Sequence, residues 1–222
     1  MLPRVLSEGV ISLNEGVERR ALVLTMVLDA EAKLLETETT KAYTGLAGTP
    51  EYREAMAGMV LGEVPAERLA SVATVGGTGA IRQGLELARL ANPDLTVYVS
   101  DPTWPNHLSI LKHMGIEFTS YRYFDNESGG VNFDGMMADL AQAGKGDIVL
   151  VHGCCHNPTG ANLNATEWQA LIELLNQTGA TPMVDLAYQG FGDGLDADAE
   201  ATRLVAASLP EVLIAASCSK NF

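Results

Sequence analysis

Several features are scarce or missing in this sequence of 222 residues. No apolar run is long enough to span a bilayer, and the N-terminus has no signal-peptide pattern. The three cysteines (Cys154, Cys155 and Cys218) are odd in number and two are adjacent, which does not indicate a disulfide framework. The chain has only 14 basic residues but 28 acidic ones, and its net charge of −14 disfavours nucleic acid and anionic membranes as partners. We therefore expect a protein of the reducing cytoplasm that binds neither nucleic acid nor membrane.

Apolar residues make up 47% of the chain, enough to build a core. Short runs rich in β-branched residues alternate along the chain with segments of helical periodicity. Four of the runs are interpreted as buried strands, at 96–100, 147–152, 182–186 and 212–216. This alternation is typical of a parallel sheet covered by helices. The sequence thus predicts an α/β fold with a mostly parallel central sheet flanked by helices.

Some helix boundaries can be predicted from end signals. Pro50 marks the start of one helix and Gly62 its end. Asn164 has the side chain of an N-cap, and Glu167, three residues on, would complete a capping box. A helical pattern also begins near Ala21. The preceding residues 1–20 have no clear pattern, and we assign them to an N-terminal arm.

A glycine-rich run, Gly-Gly-Thr-Gly at 76–79, follows a predicted strand or strand approach at 71–75 and leads into a helix. Glycines let a backbone approach an anion closely, and a helix N-terminus offers free N–H groups. The run lacks the third glycine of a dinucleotide fingerprint and the lysine of a Walker loop. A phosphate site and a simple tight turn both remain open here.

Two further motifs follow predicted strands, where ligands of open α/β sheets bind. Trp104, in Asp-Pro-Thr-Trp-Pro-Asn-His at 101–107, could stack on a planar ring or plug the core. The segment 152–156 contains two histidines and two cysteines, which invites a zinc interpretation. Adjacent cysteines do not easily share one tetrahedral ion, and no second cluster completes four ligands. We therefore expect no metal. Asn157, next to Pro158, would present its amide from a turn.

Two charged residues stand beside apolar strands. Asp185 lies inside the predicted strand 182–186, where a carboxylate needs a partner or must cap a loop. Lys220 follows the last predicted strand and the small residues Ser-Cys-Ser at 217–219. Such a setting could desolvate the amine and make it a nucleophile suited to a Schiff base, although a lysine at a strand end ordinarily reaches into solvent. A phosphate cradle, a stacking ring, a buried carboxylate and this lysine together match what pyridoxal 5'-phosphate (PLP) requires.

Five motifs, in order along the chain, resemble the class I aminotransferases and, within them, the aspartate and aromatic amino acid aminotransferase subgroup. They are Gly-Gly-Thr-Gly at 76–79, Asp-Pro-Thr-Trp-Pro-Asn-His at 101–107, Cys-Cys-His-Asn-Pro-Thr-Gly at 154–160, Asp-Leu-Ala-Tyr-Gln-Gly-Phe at 185–191 and Ser-Cys-Ser-Lys-Asn-Phe at 217–222. The resemblance extends from about Leu24 to Phe222. It implies the PLP-dependent transferase fold type I, with PLP as cofactor.

The resemblance also implies a role for each matching residue. Lys220 would be the catalytic residue, bound to PLP as a Schiff base and afterwards the base that moves a proton. Asp185 would pair with the pyridinium nitrogen, and His107 would hold Asp185. Trp104 would stack on the ring, and Asn157 and Tyr188 would bond its phenolic oxygen. Trp104 and Asn157 would also contact the substrate. The phosphate would be bound by Gly77, Thr78 and Ser217, and by Tyr43 from the partner subunit, which implies a homodimer.

The chain ends two residues after Lys220, where the family continues through its substrate-clamping arginine. We therefore expect residues 21–222 to form an incomplete large PLP-binding domain, with the small C-terminal domain outside this chain. The function implied is transfer of an amino group from an aromatic amino acid, or aspartate, to 2-oxoglutarate. The alternative is a catalytically inactive truncated fragment that at most binds PLP or a partner subunit.

Overall fold

The computed structural model describes strands Met26–Leu28 and Leu34–Thr37 by their backbone, and residues 47–221 except 64, 66 and 67. In chain order the strands are β1 (Met26–Leu28), β2 (Leu34–Thr37), β3 (Thr96–Asp101), β4 (Glu117–Arg122), β5 (Phe124–Asp125), β6 (Gly130–Val131), β7 (Ile148–His152), β8 (Thr181–Leu186) and β9 (Leu213–Ala216). The helices are α1 (Pro50–Leu61), α2 (Gly76–Ala91), α3 (Pro105–Met114), α4 (Phe133–Leu140), α5 (Ala165–Thr178) and α6 (Ala197–Ser208). The predicted arm at 1–20 lies outside the described residues.

The central sheet has five strands in the order β4-β3-β7-β8-β9. All of their pairings are parallel, and the register of β7 on β8 places His152 opposite Asp185. The chain moves outward from β3 to β4 and then returns to the other side of β3 with β7. This reversal creates a crevice at the carboxyl ends of β3 and β7, where ligands bind in open α/β sheets. The predicted α/β fold with a parallel sheet is confirmed.

The core forms two apolar layers, one on each face of the sheet. Successive strand residues point to opposite faces, so Val97 and Val99 join one layer and Tyr98 the other. The first layer is completed by α2 and α3, through Ile81, Leu85, Leu111 and Met114. The second is completed by α4, α5 and α6, through Met136, Leu140, Trp168, Leu171 and Val205. The result is a helix–sheet–helix sandwich that holds the strand ends in fixed positions.

The helix ends predicted from sequence agree with the structure. The first predicted helix is α1, which begins at Pro50 and is followed by the C-cap Gly62. At α5 the Asn164 side chain accepts from the backbone N–H of Glu167, whose carboxylate accepts from the Asn164 N–H at 2.8 Å. This reciprocal pair satisfies donors that a helix start leaves free, so the stop and start signals in the sequence were sufficient here.

Two local predictions were wrong. Residues 71–74 are not a strand: Ala73 makes one backbone bond to Ala47, and the neighbouring Arg53 guanidinium donates to the Ser71 carbonyl. The β-branched residues there favour an extended chain, but no described strand pairs with them. The helical pattern near Ala21 does not continue as helix either, since residues 26–28 and 34–37 are paired antiparallel strands.

Helix α1 is attached to the sheet sandwich by polar contacts at its C-terminal end. Arg203 of α6 donates to the carbonyls of Met59 and Val60, at 3.0 and 3.2 Å. Gln189, which follows β8, also donates to the Met59 carbonyl, at 2.9 Å. A helix end leaves its last carbonyls without intrahelical partners, and these side chains satisfy them. The loop after β8 and helix α6 are therefore both bonded to the C-terminal end of α1.

The packing around Gly153, just after β7, generates a test of the fold. A Cβ at this position would lie 2.8 Å from Thr202 Oγ1, 2.9 Å from Leu186 Cδ1 and 3.0 Å from Val184 Cγ1, all buried. We expect Gly153→Ala to lower the free energy of unfolding by about 1–3 kcal/mol, the usual cost of overpacking. Urea unfolding followed by circular dichroism measures this change.

The matched control is Gly58→Ala on the exposed face of α1, where an added Cβ meets nothing within 4 Å. This change should stabilise the protein by up to about 1 kcal/mol, because alanine favours a helix interior more than glycine does. Equal effects of the two substitutions would contradict the packing described at Gly153.

Candidate active site

A cavity of about 210 Å³ lies at the carboxyl ends of β7, β8 and β9, beside the N-terminus of α2. The side chains and backbone that line it come from every motif singled out in the sequence: Gly76, Gly77, Thr78, Ile81, Trp104, His152, Cys154, Asn157, Asp185, Ala187, Tyr188, Ser217, Ser219 and Lys220. Motifs separated by more than 100 residues in sequence thus meet at one edge of the sheet, because parallel strands all end there.

The glycine-rich run forms one wall of the cavity. Helix α2 begins at Gly76, whose φ of 64° is unfavourable for other residues, and no side chain caps this helix start. A Cβ on Gly77 would lie 3.3 Å from the Ser217 Cβ, so a side chain at 77 would fill the space between α2 and the end of β9. Uncapped N–H groups and a narrow gap at a helix N-terminus are suited to an oxyanion.

Asp185 also lines the cavity and is 5% exposed. Its Oδ2 lies 3.0 Å from Nε2 of His107, a fully buried residue in the first turn of α3. The other ring nitrogen of His107 lies 2.8 Å from the Thr103 hydroxyl. This chain of contacts fixes the carboxylate and supplies the partner that burial of a charge demands.

Lys220 also lines the cavity. Its Nζ lies 4.2 Å from the centre of the Tyr188 ring, a cation–π contact. The residue is exposed, so the desolvation that its small neighbours suggested is not found in this structure.

Trp104 and Asn157 complete the set of cavity side chains expected from the sequence. The Trp104 indole is half-buried, packs against the apolar layer formed with α2 and α3, and meets the His107 ring edge-on at 5.3 Å. Trp104 therefore both packs against the core and lines the cavity. Asn157 is half-buried and lines the cavity from the turn after β7.

Three histidine rings pack in series behind Asp185, an arrangement that sequence reasoning missed. The His152 ring lies 5.3 Å from that of His107 and 4.3 Å from that of His156. Burial, and then the neighbouring His156 and His107, lower the pKa of His152 to about 3 against a smaller opposing effect of Asp185. Burial and His107 lower the pKa of His156 to about 4. The pairing of β7 with β8 places His152 opposite Asp185, which His107 also contacts. The sequence alone does not give this pairing.

A second buried carboxylate supports the site from behind. Asp198, at the start of α6, accepts from the backbone N–H groups of Gly190, Gly192 and Asp193 at 2.7–2.9 Å. These bonds hold the loop that begins at Tyr188. The adjacent Cys154 thiol has a raised pKa, chiefly because it is buried. Asp198 carried no sequence signal, because it sits among other acidic residues of a polar helix start.

The structure therefore brings together eight of the residues expected at the site: Gly77, Thr78, Trp104, Asn157, Asp185, Tyr188, Ser217 and Lys220. His107 lies behind them and contacts Asp185. Tyr43 falls outside the described residues. The roles assigned to these residues remain predictions.

Comparison with known proteins identifies the family. Residues 8–222 match the sequence model of aminotransferase class I and II. The chain is 60% identical over 220 residues to an aromatic-amino-acid aminotransferase of Paracoccus denitrificans, covering 97% of this chain and 56% of that protein. It is 41% identical over 222 residues to an aspartate aminotransferase of Escherichia coli, covering 96% and 56% respectively.

Solved structures agree. An aromatic amino acid aminotransferase with 3-indolebutyric acid superposes with a TM-score of 0.80 at 64% identity, over 85% of this chain and 48% of that one. The aromatic-amino-acid aminotransferase of Burkholderia pseudomallei, covalently bound to pyridoxal phosphate, gives a TM-score of 0.79 at 39% identity, over 82% and 46%. This chain belongs to the class I and II aminotransferases, and it spans about half the length of the relatives that it matches.

The histidine series generates a prediction of pH dependence. Because the pKa of His152 falls from 6.5 to about 3 on folding, only the unfolded chain binds a proton there as the pH drops below about 6.5. Stability is therefore lost as the pH falls, by about 1.4 kcal/mol per pH unit for one such proton. We expect His152→Gln to flatten the fall in the urea-unfolding free energy between about pH 6.5 and 5 by about 1–2 kcal/mol.

His113→Gln is the control, because His113 is exposed on α3. This variant should keep the pH dependence of the unaltered chain. Parallel stability curves for the unaltered chain and His152→Gln would show that His152 is not held neutral in the folded state.

Proposed function

We propose that this protein is a PLP-dependent aminotransferase that acts on aromatic amino acids, on aspartate or on both, with 2-oxoglutarate as acceptor. The observation that carries the proposal is the convergence of Asp185, Lys220 and the α2 N-terminus on one cavity. A buried carboxylate, a reactive amine and an oxyanion site are the three groups that a pyridine aldehyde bearing a phosphate would need.

The residues present fit this cofactor. The phosphate would lie where Gly77 leaves space beside Ser217, with the Thr78 hydroxyl and the uncapped N–H groups of α2 as donors. Any side chain at position 77 would obstruct that space. The pyridine nitrogen would face Asp185, which His107 holds in place at 3.0 Å. The Trp104 indole and the Asn157 and Tyr188 side chains line the same cavity, available to the ring face and its phenolic oxygen.

When bound, PLP supplies an electron sink for the bonds at the substrate Cα. Asp185 would favour the protonated pyridine nitrogen on which that sink depends, because a nearby anion stabilises a cation. Lys220 would attach the cofactor and, once released, carry the proton to and from the substrate Cα. Lys220 is exposed and lines the cavity, so its amine would be accessible to a substrate that enters from solvent. Trp104 and Asn157 would contact the substrate.

Three further points belong to the proposal. The aromatic preference is supported by 60% identity to an aromatic-amino-acid aminotransferase, against 41% to an aspartate aminotransferase. Tyr43 would complete the phosphate site of the partner subunit in a homodimer. Residues 21–222 would form the PLP-binding large domain after an arm at 1–20.

The described residues include no helix long and apolar enough to cross a membrane. The three cysteines are free thiols, which supports our proposal of a reducing cytoplasm. The alternative, an inactive fragment that at most binds PLP or a partner subunit, is favoured by one observation: the chain covers 56% of its relatives. PLP absorbance together with a transamination assay separates the two, because the fragment would show the first without the second.

The attachment point gives the direct test of the cofactor proposal. After incubation with PLP and reduction with borohydride, peptide mass mapping should find the pyridoxyl group on Lys220. The exposed Lys112 of α3 is the internal control, and Lys112→Ala should leave the labelling unchanged. Lys220→Ala should abolish labelling and turnover but leave weakened binding through the phosphate. Labelling mainly of another lysine would refute the assignment.

Asp185→Asn tests the electrostatic role. Asparagine has nearly the same shape but no charge, so catalysis should suffer more than folding. The substitution removes the close ion pair between Asp185 and the pyridine nitrogen. Each factor of ten in rate corresponds to about 1.4 kcal/mol, and we expect loss of this pair to lower kcat by several powers of ten in a form of the protein that transaminates. Asp139→Asn is the control. It removes a partly exposed ion pair with Arg122, neither residue lines the cavity, and kcat should stay unchanged. Near-normal turnover of Asp185→Asn would disprove the role.

A further inference from the structure

Three side chains that can bind a metal converge at the cavity wall from three different elements. His107 of α3, His152 of β7 and Asp185 of β8 each offer one ligand atom, and these atoms all lie within 4.8 Å of one another. His107 and Asp185 are buried and His152 is partly so. Two imidazoles and one carboxylate form a ligand set that zinc and related transition metals favour.

An independent observation points to a ligand at this place. Both ring nitrogens of His152 are buried, and neither has a hydrogen-bond partner among the residues that the structure describes. A buried polar group without a partner is destabilising, and a bound ligand removes that penalty. The two neighbouring histidines have partners at both ring nitrogens. His152 is thus the member of the series whose lone pair is free to bind a cation.

We propose that, when no cofactor is bound, His107 Nε2, His152 and Asp185 Oδ2 bind one divalent transition-metal ion of the zinc, cobalt or nickel group. Bonds of about 2.0–2.2 Å at tetrahedral angles separate two ligand atoms by about 3.3–3.6 Å. Nε2 and Oδ2 lie 3.0 Å apart, so a small widening of this contact admits the ion. The ion takes the place of the hydrogen bond between these two atoms.

The surroundings of His107 support metal binding. A metal-bound histidine normally donates its second ring N–H to an oxygen, which fixes the tautomer. Thr103 Oγ1 lies 2.8 Å from Nδ1 of His107 and can accept that proton, so Nε2 presents its lone pair to the ion. Asp185 contributes the negative charge, and the cavity leaves the remaining coordination positions open to water.

A second group, Cys154, Cys155 and Asp198, has equally close ligand atoms but is a weaker candidate. The Asp198 carboxylate already accepts three backbone N–H bonds that hold the loop after β8. Burial also raises the pKa of both thiols, so the thiolate form that binds metal is disfavoured. We assign the ion to the histidine–carboxylate group.

One consequence rests on the proposed function. Asp185 would face the pyridine nitrogen of bound PLP, so the metal and the cofactor would compete for the same carboxylate. The site would then bind metal only in the cofactor-free protein, and zinc would slow loading with PLP.

Titration with Co²⁺ and Zn²⁺ of the chain freed of cofactor and metal tests the proposal. We expect one ion per chain, and a Co²⁺ spectrum with d–d bands but no thiolate charge-transfer band. His152→Gln and Asp185→Asn should each raise Kd by more than the about 10–100-fold that loss of an outer-shell partner costs. His113→Gln and the double variant Cys154→Ser/Cys155→Ser are the controls and should bind as the unaltered chain does.

Two measurements keep the test independent of how well the variants fold. Far-UV circular dichroism checks each variant, and zinc K-edge absorption on the unaltered chain should show two imidazoles and no sulfur. Sulfur scattering, absence of binding, or unchanged affinity in a folded His152→Gln variant would overturn the assignment. Prior loading with PLP should block the metal; if PLP does not bind at all, the proposed function fails while the metal site stands.

Discussion

The buried carboxylate of Asp185 is the constraint around which this end of the molecule is arranged. A charge placed in the interior of an apolar strand needs a strong partner, and His107 meets that need from a different element. That requirement fixes where α3 begins relative to β8, and Thr103 in turn fixes the ring of His107. The apolar layers supply most of the stability, but this polar contact decides how the strand ends, the helix starts and the cavity are oriented with respect to one another.

Much of the fold could be predicted from the sequence because its signals are local. The buried strands at 96–100 and 182–186 are short segments with closely spaced apolar residues, and the Asn164 capping box is contained within four residues. The strand predicted at residues 71–74 was wrong for the opposite reason. Their β-branched composition favours an extended chain, but a strand also needs a paired neighbour, and pairing is a non-local property.

The same distinction applies to the site. Trp104, Asp185 and Lys220 could be predicted because each looks out of place in its own segment, and a family resemblance then gave them roles. His152 could not, since a histidine at a strand end is unremarkable until the register of β7 on β8 places it opposite Asp185. Asp198 and Gln189 were missed for a similar reason. Their bonds reach backbone atoms of the loop after β8 and of α1, and the sequence does not reveal where these segments lie.

The attachment of α1 has a consequence for synthesis on the ribosome. Its C-terminal carbonyls bond to Arg203, 144 residues further along the chain from Met59. At about 5–20 residues per second, roughly 7–30 s separate the emergence of these two partners. During that interval α1 has neither Gln189 nor Arg203 to dock against, while β3, β4 and β7 can already pair behind it. The first long helix among the residues that the structure describes is therefore among the last elements to reach its place.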